Sequence, residues 1–190
     1  MKSLFSFFTL LFFLQIHAQK PCDLSTDVSD SLGTLKQTKD VLMYEKVFGN
    51  AEQFIYFSLL NDNKTLLLSV NFIQKDSEFI KADCFDPSSK LFLQLSNQKI
   101  IPLFYADEES CSQLIQGDAN GKNTRLLSGY FLFPKESFQM LKEHDLVFIR
   151  IKSSTGTKDF YVKDLLISEI TKQSGQPIKF FRDYLHCVEN

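Results

Sequence analysis

Four cysteines, the two histidines that follow residue 18 and one acidic run are the residues of this chain whose types could do chemistry. The cysteines are Cys22, Cys84, Cys111 and Cys187. None sits in C-x-x-C spacing, the arrangement that zinc ribbons and thioredoxin-like redox sites use. An even count in an exported chain reads instead as two disulfides, with three possible connectivities. A cysteine nucleophile needs a free thiolate and a facing base. His186 adjoins Cys187, but neighbours on a helix point in different directions. That pair therefore reads as a bridged cysteine beside an exposed histidine. A serine hydrolase needs a serine on a sharp elbow with a histidine in reach. No G-x-S-x-G motif occurs, and His144 falls where a histidine caps a helix C-terminus.

Metal and acid–base readings are weaker still. Asp118-Ala119-Asn120-Gly121 resembles the start of a calcium loop, but the glycine comes two positions early, and Gly129 stands where the EF-hand glutamate belongs. It reads as a solvated turn. The run Asp107-Glu108-Glu109 reads as a solvated face. Asn63-Lys64-Thr65 is an N-glycosylation sequon, informative only in a host that modifies asparagine. Paired carboxylates meet in space and not in sequence, and no spacing or aromatic platform picks out a pair. No catalytic residue, metal ligand or cofactor is assigned.

The chain opens with Lys2, an apolar run over residues 4–14 broken by Ser6 and Thr9, and then Ile16-His17-Ala18. This is the pattern of a secretory signal peptide, with cleavage expected between Ala18 and Gln19. Residues 1–18 are thus the leader, and 19–190 a single exported β-rich domain. The run falls short of the roughly 20 apolar residues of a transmembrane helix, and no second run appears. Gln19-Lys20-Pro21 ahead of Cys22 lacks the small apolar residues that lipidation needs. The expected location is the periplasm or the exterior, without a lipid anchor. The Phe-rich leader and the Lys, Asn and Ile usage resemble exported bacterial proteins of Bacteroidota, a likeness of composition that carries no function. A net charge of −2 gives no basic field for a phosphate backbone, so nucleic acid is not an expected partner. The twenty Phe, five of them in the leader, and the absence of Trp point to packing. They also remove the side chain most often used for sugar stacking and aromatic hot spots.

The elements that would position these residues are mostly strands. Residues 21–31 are polar and read as a loop held down by Cys22. Residues 33–47 suggest one or two strands. Residues 54–60 and 65–73 form a hairpin with a loop at Asn61-Asp62-Asn63-Lys64. On its second strand Leu66, Leu68, Val70 and Phe72 share a face, because side chains alternate with period two. The other face is half polar, which fits antiparallel architecture. Further strands are expected over 125–133, 145–152 and 158–163. A short helix is expected near Phe138 and Leu141, and residues 164–172 are ambiguous. Pro177 opens a C-terminal helix with Ile178, Phe181, Leu185 and Val188 inward and Lys179, Arg182, Asp183 and His186 toward water. The fold class is mainly β. It is an antiparallel sandwich or curved sheet of seven or eight strands, with one short helix and a C-terminal helix packed on it.

The segment from Cys84 to Cys111 reads as a hairpin turning at Asn97-Gln98. A two-residue turn puts Leu95 opposite Ile100, Leu93 opposite Pro102 and Leu91 opposite Phe104, all on one apolar face. The other face carries Phe92 with Leu103, Gln94 with Ile101 and Lys90 with Tyr105. Carried outward, the same register sets Cys84 opposite Cys111. That pair is therefore expected to bridge, leaving Cys22 with Cys187 to join the chain ends. A stapled domain without a catalytic set reads as a non-enzymatic module for surface recognition or envelope assembly. Its partner would be another envelope or extracellular protein. The alternative is a carrier of an apolar small molecule in a Phe- and Leu-lined cavity. A third reading is a hydrolase built on acidic loops.

Overall fold

The computed structural model describes residues 20–31, 33–117 and 121–189. The leader with its junction at Ala18 and Gln19, and residues 118–120 of the calcium-like loop, lie outside the described residues. The first strands are β1 (Leu24–Asp30), β2 (Gly33–Thr38), β3 (Val41–Phe48), β4 (Ala51–Asp62), β5 (Thr65–Asp76) and β6 (Cys84–Phe85). Then come β7 (Lys90–Leu95), β8 (Ile100–Tyr105), β9 (Ser110–Cys111), β10 (Gln113–Ile115) and β11 (Asn123–Leu132). Helix α1 (Phe138–Glu143) precedes β12 (Leu146–Ser153), β13 (Gly156–Tyr161), β14 (Leu166–Ile167), β15 (Ser174–Gly175) and helix α2 (Phe180–Tyr184).

Eleven strands make one antiparallel sheet in the order β1-β2-β4-β5-β11-β8-β7-β12-β13, with β3 also beside β4 and β10 beside β11. β13 ends this order, yet its Phe160 meets Tyr44 of β3 and Phe72 of β5 at ring-centroid distances of 5.0 and 5.7 Å. The sheet therefore folds over on itself into two layers. They join where Phe131 and Leu132 of β11 pair with Tyr105 and Phe104 of β8. Period-two alternation fills the space between them. Ile55, Phe57 and Leu59 come from β4, and Leu68, Val70 and Phe72 from β5. Leu91, Leu93 and Leu95 come from β7, and Ile149 and Ile151 from β12; all are buried. A bulge between Leu146 and Phe148 lets Leu146 turn inward as well.

The bridges join Cys22 to Cys187 and Cys84 to Cys111. The C-terminal helix closes one end of the sandwich, with Phe180 edge-on to Phe57 at 5.8 Å. Phe181, Leu185 and Val188 are buried as expected and are joined by Pro177, Phe180 and Cys187, while Ile178 is only half-buried. One α-turn here is flanked by 3-10 turns at Pro177–Lys179 and Leu185–Cys187. A 3-10 turn repeats every three residues, so Pro177 and Phe180 fall in line.

Three further local expectations are corrected. Residues 24–30 are a strand rather than a loop: β1 pairs with β2 along its length and exposes most of its polar side chains at the sheet edge. This and the separate β2 and β3 raise the strands of six residues or more, among those described, to ten. The β4–β5 loop is shorter than expected. Asp62 pairs with Thr65, and Asn63 and Lys64, at φ 48° and 71°, form a two-residue turn. That left-handed geometry matches the twist of the flanking strands.

The hairpin of β7 and β8 slips by one residue. Leu91 faces Leu103, Phe92 faces Pro102, Leu93 faces Ile101 and Gln94 faces Ile100. Leu95 N–H donates to Lys99 O at 2.9 Å, which makes a three-residue turn of Ser96, Asn97 and Gln98. Gln98 adopts φ 67°, the left-handed residue such a turn needs. The slip sends Ile101, Leu103 and Tyr105 inward and leaves Ile100, Pro102 and Phe104 outside. Cys84 still faces Cys111, because β6 and β9 form a separate pair beyond the hairpin.

That pair places Phe85 over Gly129. Phe85, Tyr105 and Phe131 contact one another at 5.2 to 5.6 Å between centroids. A Cβ on Gly129 would lie 2.7 Å from Phe85 Cδ2 and 2.8 Å from Tyr105 Cε2. Both rings are buried and held by their own strands, so neither can swing away. Gly129→Ala is expected to destabilise by about 1–3 kcal/mol through overpacking. The gain from a stiffer unfolded chain, about 0.4–1 kcal/mol, does not offset it. A urea midpoint equal to or above wild type would show that the cluster yields.

Candidate recognition surface

The layer made of β8, β7, β12 and β13 carries large apolar side chains on both faces, interleaved with polar and charged ones on the outer face. Its inner face belongs to the core; its outer face is built in rows across the four strands. One row runs Tyr161, Phe148, Gln94, Ile100. The next runs Asp159, Arg150, Phe92, Pro102, and the third Thr157, Lys152, Lys90, Phe104, with Leu132 of β11 beyond. Tyr161 is 77% exposed, Ile100 59% and Phe104 45%. Side chains this apolar, contiguous and solvent-facing on one sheet are unusual for a face that meets only water.

The face is shaped as well as apolar. Phe92, Gln94, Ile100, Phe148, Arg150 and Tyr161 line a groove of about 430 Å³. Phe148 and Tyr161 stand edge-to-face at 5.1 Å. Arg150 crosses the floor: Nε and Nη2 each donate to an oxygen of Asp159 at 2.7 Å, and its guanidinium lies 5.8 Å from the Phe148 ring centroid. These bonds from Arg150 hold the Asp159 carboxyl below its ordinary pKa, and Asp159 in turn raises that of Arg150. Lys90 Nζ lies 5.3 Å from the Phe104 ring, so a cation sits on that aromatic surface too.

The residues singled out from sequence lie elsewhere. All four cysteines are bridged, so none supplies a thiolate. His186 is not toward water: it is half-buried, with Nε2 at 3.3 Å from Cys22 Sγ and 3.5 Å from Cys187 Sγ, and Nδ1 buried without a partner. The disulfide occupies the corner into which the short helix turns it. Cys22, His186 and Cys187 bring three donor atoms together, and so do Cys84, Glu109 and Cys111. In each set two of the donors are bonded to each other, which leaves a metal one free ligand. His144 is the C-cap residue of α1, where its N–H donates to Met140 O. Asn63 Oδ1 accepts from Thr34 N–H at 2.9 Å, so the sequon amide ties the β4–β5 turn to β2.

The expected register hid the surface, because it set Ile100, Pro102 and Phe104 on one apolar face together with Leu91, Leu93 and Leu95. Phe92, Phe148, Arg150, Asp159 and Tyr161 come from three strands that are not all consecutive in sequence, so no local pattern joins them. One signal was available: residues 90–105 are apolar on both faces, more than one core can take. Among the described residues no helix is long and apolar enough to cross a membrane. The two bridges are compatible with an oxidising compartment. Comparison with protein families, with curated proteins and with solved structures finds no match for this chain.

Proposed function

We propose that this chain is an exported, non-enzymatic module that recognises another envelope or extracellular protein through the outer face of β8, β7, β12 and β13. The carrying observation is the contiguous set of outward apolar side chains from Tyr161 to Leu132, set over a core that is already complete. Protein interfaces favour such aromatic and arginine anchors, and the aromatic ones bury a large area on few rotatable bonds. The Phe-rich interior supports recognition over a carrier. Phe57, Phe85, Phe131, Phe180 and Phe181 are all fully buried, and each makes edge or tilted ring contacts with others of the core.

The double variant Ile100→Ser, Phe104→Ser tests this reading. Both side chains point to solvent, so the change in stability should stay within about 1 kcal/mol per site, the scale of a cross-strand contact. Crosslinking of the tagged protein in its native envelope should join wild type to one protein, and the variant should lose that adduct about tenfold. An adduct of unchanged yield, or an apolar small molecule copurifying with both forms, would count against the proposal.

A further inference from the structure

β13 closes the sheet, and among the described residues no strand pairs along its other side. Val162 N–H donates to Val147 O at 3.1 Å, so hydrogen-bonded pairs recur at Phe160–Ile149, Lys158–Ile151 and Gly156–Ser153. The backbone N–H and C=O of Thr157, Asp159 and Tyr161 therefore point away from β12, and all three residues are exposed. Proteins usually guard such an edge with charges, prolines or bulges. β13 has no proline, and its pairing with β12 runs over six residue pairs without a bulge. Its two charges are both held in ion pairs within the fold, Lys158 with Asp83 and Asp159 with Arg150. Beside the edge, Gln74 and Ile80 face Thr157 and Lys158 across a cleft of about 270 Å³.

We infer that β13 is a docking edge for an extended segment of a different protein, which adds to the sheet as a further strand. This rests on the recognition reading and names how the partner binds. Main-chain bonds to Thr157, Asp159 and Tyr161 supply affinity. Alternate side chains give specificity: outward ones extend the aromatic rows past Tyr161, and inward ones enter the cleft beside Lys158. A second copy fits poorly. Antiparallel self-pairing that joins the edge groups of Thr157, Asp159 and Tyr161 centres on Asp159, placing Asp159 opposite Asp159 and Lys158 opposite Phe160. Like charges directly opposite destabilise a ladder.

The probe is a synthetic eight-residue peptide of alternating Val and Thr with a lysine at each end, added to the full domain and followed by NMR. The expected result is slowed amide exchange at Thr157, Asp159 and Tyr161 and shifts along β13. A peptide N-methylated at every second residue should bind about tenfold more weakly, as should the protein variant Thr157→Pro, whose lost N–H points away from β12. Shifts confined to Phe104 and Phe148, lost in the Ile100→Ser, Phe104→Ser variant and unchanged with the methylated peptide, overturn the edge while leaving the recognition face standing. No binding at millimolar peptide, or self-association of the free domain with the same protected amides, overturns it as well.

Discussion

Asp83→Ala is expected to destabilise the fold by about 2–4 kcal/mol, because it removes the charged acceptor of several hydrogen bonds and the partner of a half-buried lysine. Asp83 is 5% exposed. Its Oδ1 accepts from the N–H of Cys84 at 2.9 Å and of Thr155 at 3.4 Å; its Oδ2 accepts from Ser153 Oγ at 2.9 Å and pairs with Lys158. One carboxylate thus ties the segment entering β6 to the β12–β13 hairpin. Its loss leaves the Lys158 ammonium half-buried, 5.7 Å from the Phe72 ring, with no counter-charge. Burial alone would raise the Asp83 pKa, but the bonds from Lys158, Thr155 and Ser153 outweigh it and hold the group below its ordinary value. The unfolded chain titrates near the ordinary value of about 3.9. The stabilisation is therefore complete above about pH 4 and is lost as pH falls through the folded value. Asp83→Asn removes the titration and keeps the shape, so its stability should fall less steeply than that of wild type between pH 5 and pH 2.5. Urea unfolding followed by circular dichroism checks both. Parallel curves for Asp83→Asn and wild type would assign the acid sensitivity to other carboxylates.

Asp83 illustrates what sequence can and cannot carry. The alternation in Leu66–Phe72 is a local property of one strand, and it marks the buried face of β5 without any knowledge of its neighbours. The main β class, the antiparallel order and the terminal helix follow from patterns of this kind. Register is different. The β7–β8 segment is apolar on both faces, so no burial penalty distinguishes one alignment from the next. The backbone of Gln98 decides it, and glutamine carries no sign of a left-handed conformation. β1 is invisible for the opposite reason: an edge strand held by main-chain bonds needs no apolar period. The ligands of Asp83 lie 70 to 75 positions away in Ser153, Thr155 and Lys158, and the rows of the outer face draw on β13, β12, β7 and β8 in that order. Such juxtapositions come from the folding-over of the sheet, which is a tertiary event with no periodic trace.

Removing the Cys22–Cys187 bridge with serines is expected to have the largest effect on the folded domain. The two cysteines are 165 positions apart, against 27 for Cys84 and Cys111. Chain-entropy reasoning gives about 5 kcal/mol for the longer loop and about 3.5 kcal/mol for the shorter. The native state adds a local reason. α2 is five residues long, below the length at which a helix holds itself together. Its docking depends on Phe180 and Phe181 in the core, on Arg182 Nη1 with Asp145 at 2.7 Å, and on Asn61 Nδ2 donating to Val188 O. Without the bridge these contacts alone must hold the segment against the sandwich. Residues 177–188 should then open locally, and their amides should exchange well before those of β4 and β5. The Cys84→Ser, Cys111→Ser variant should lose less stability and leave α2 protected, because its bridge pins only β6 to β9. Denaturant unfolding with residue-resolved hydrogen exchange separates the two. A greater loss from the shorter loop, or uniform exchange across the domain in the Cys22→Ser, Cys187→Ser variant, would show that the aromatic contacts of α2 hold that end of the sandwich without the covalent tie.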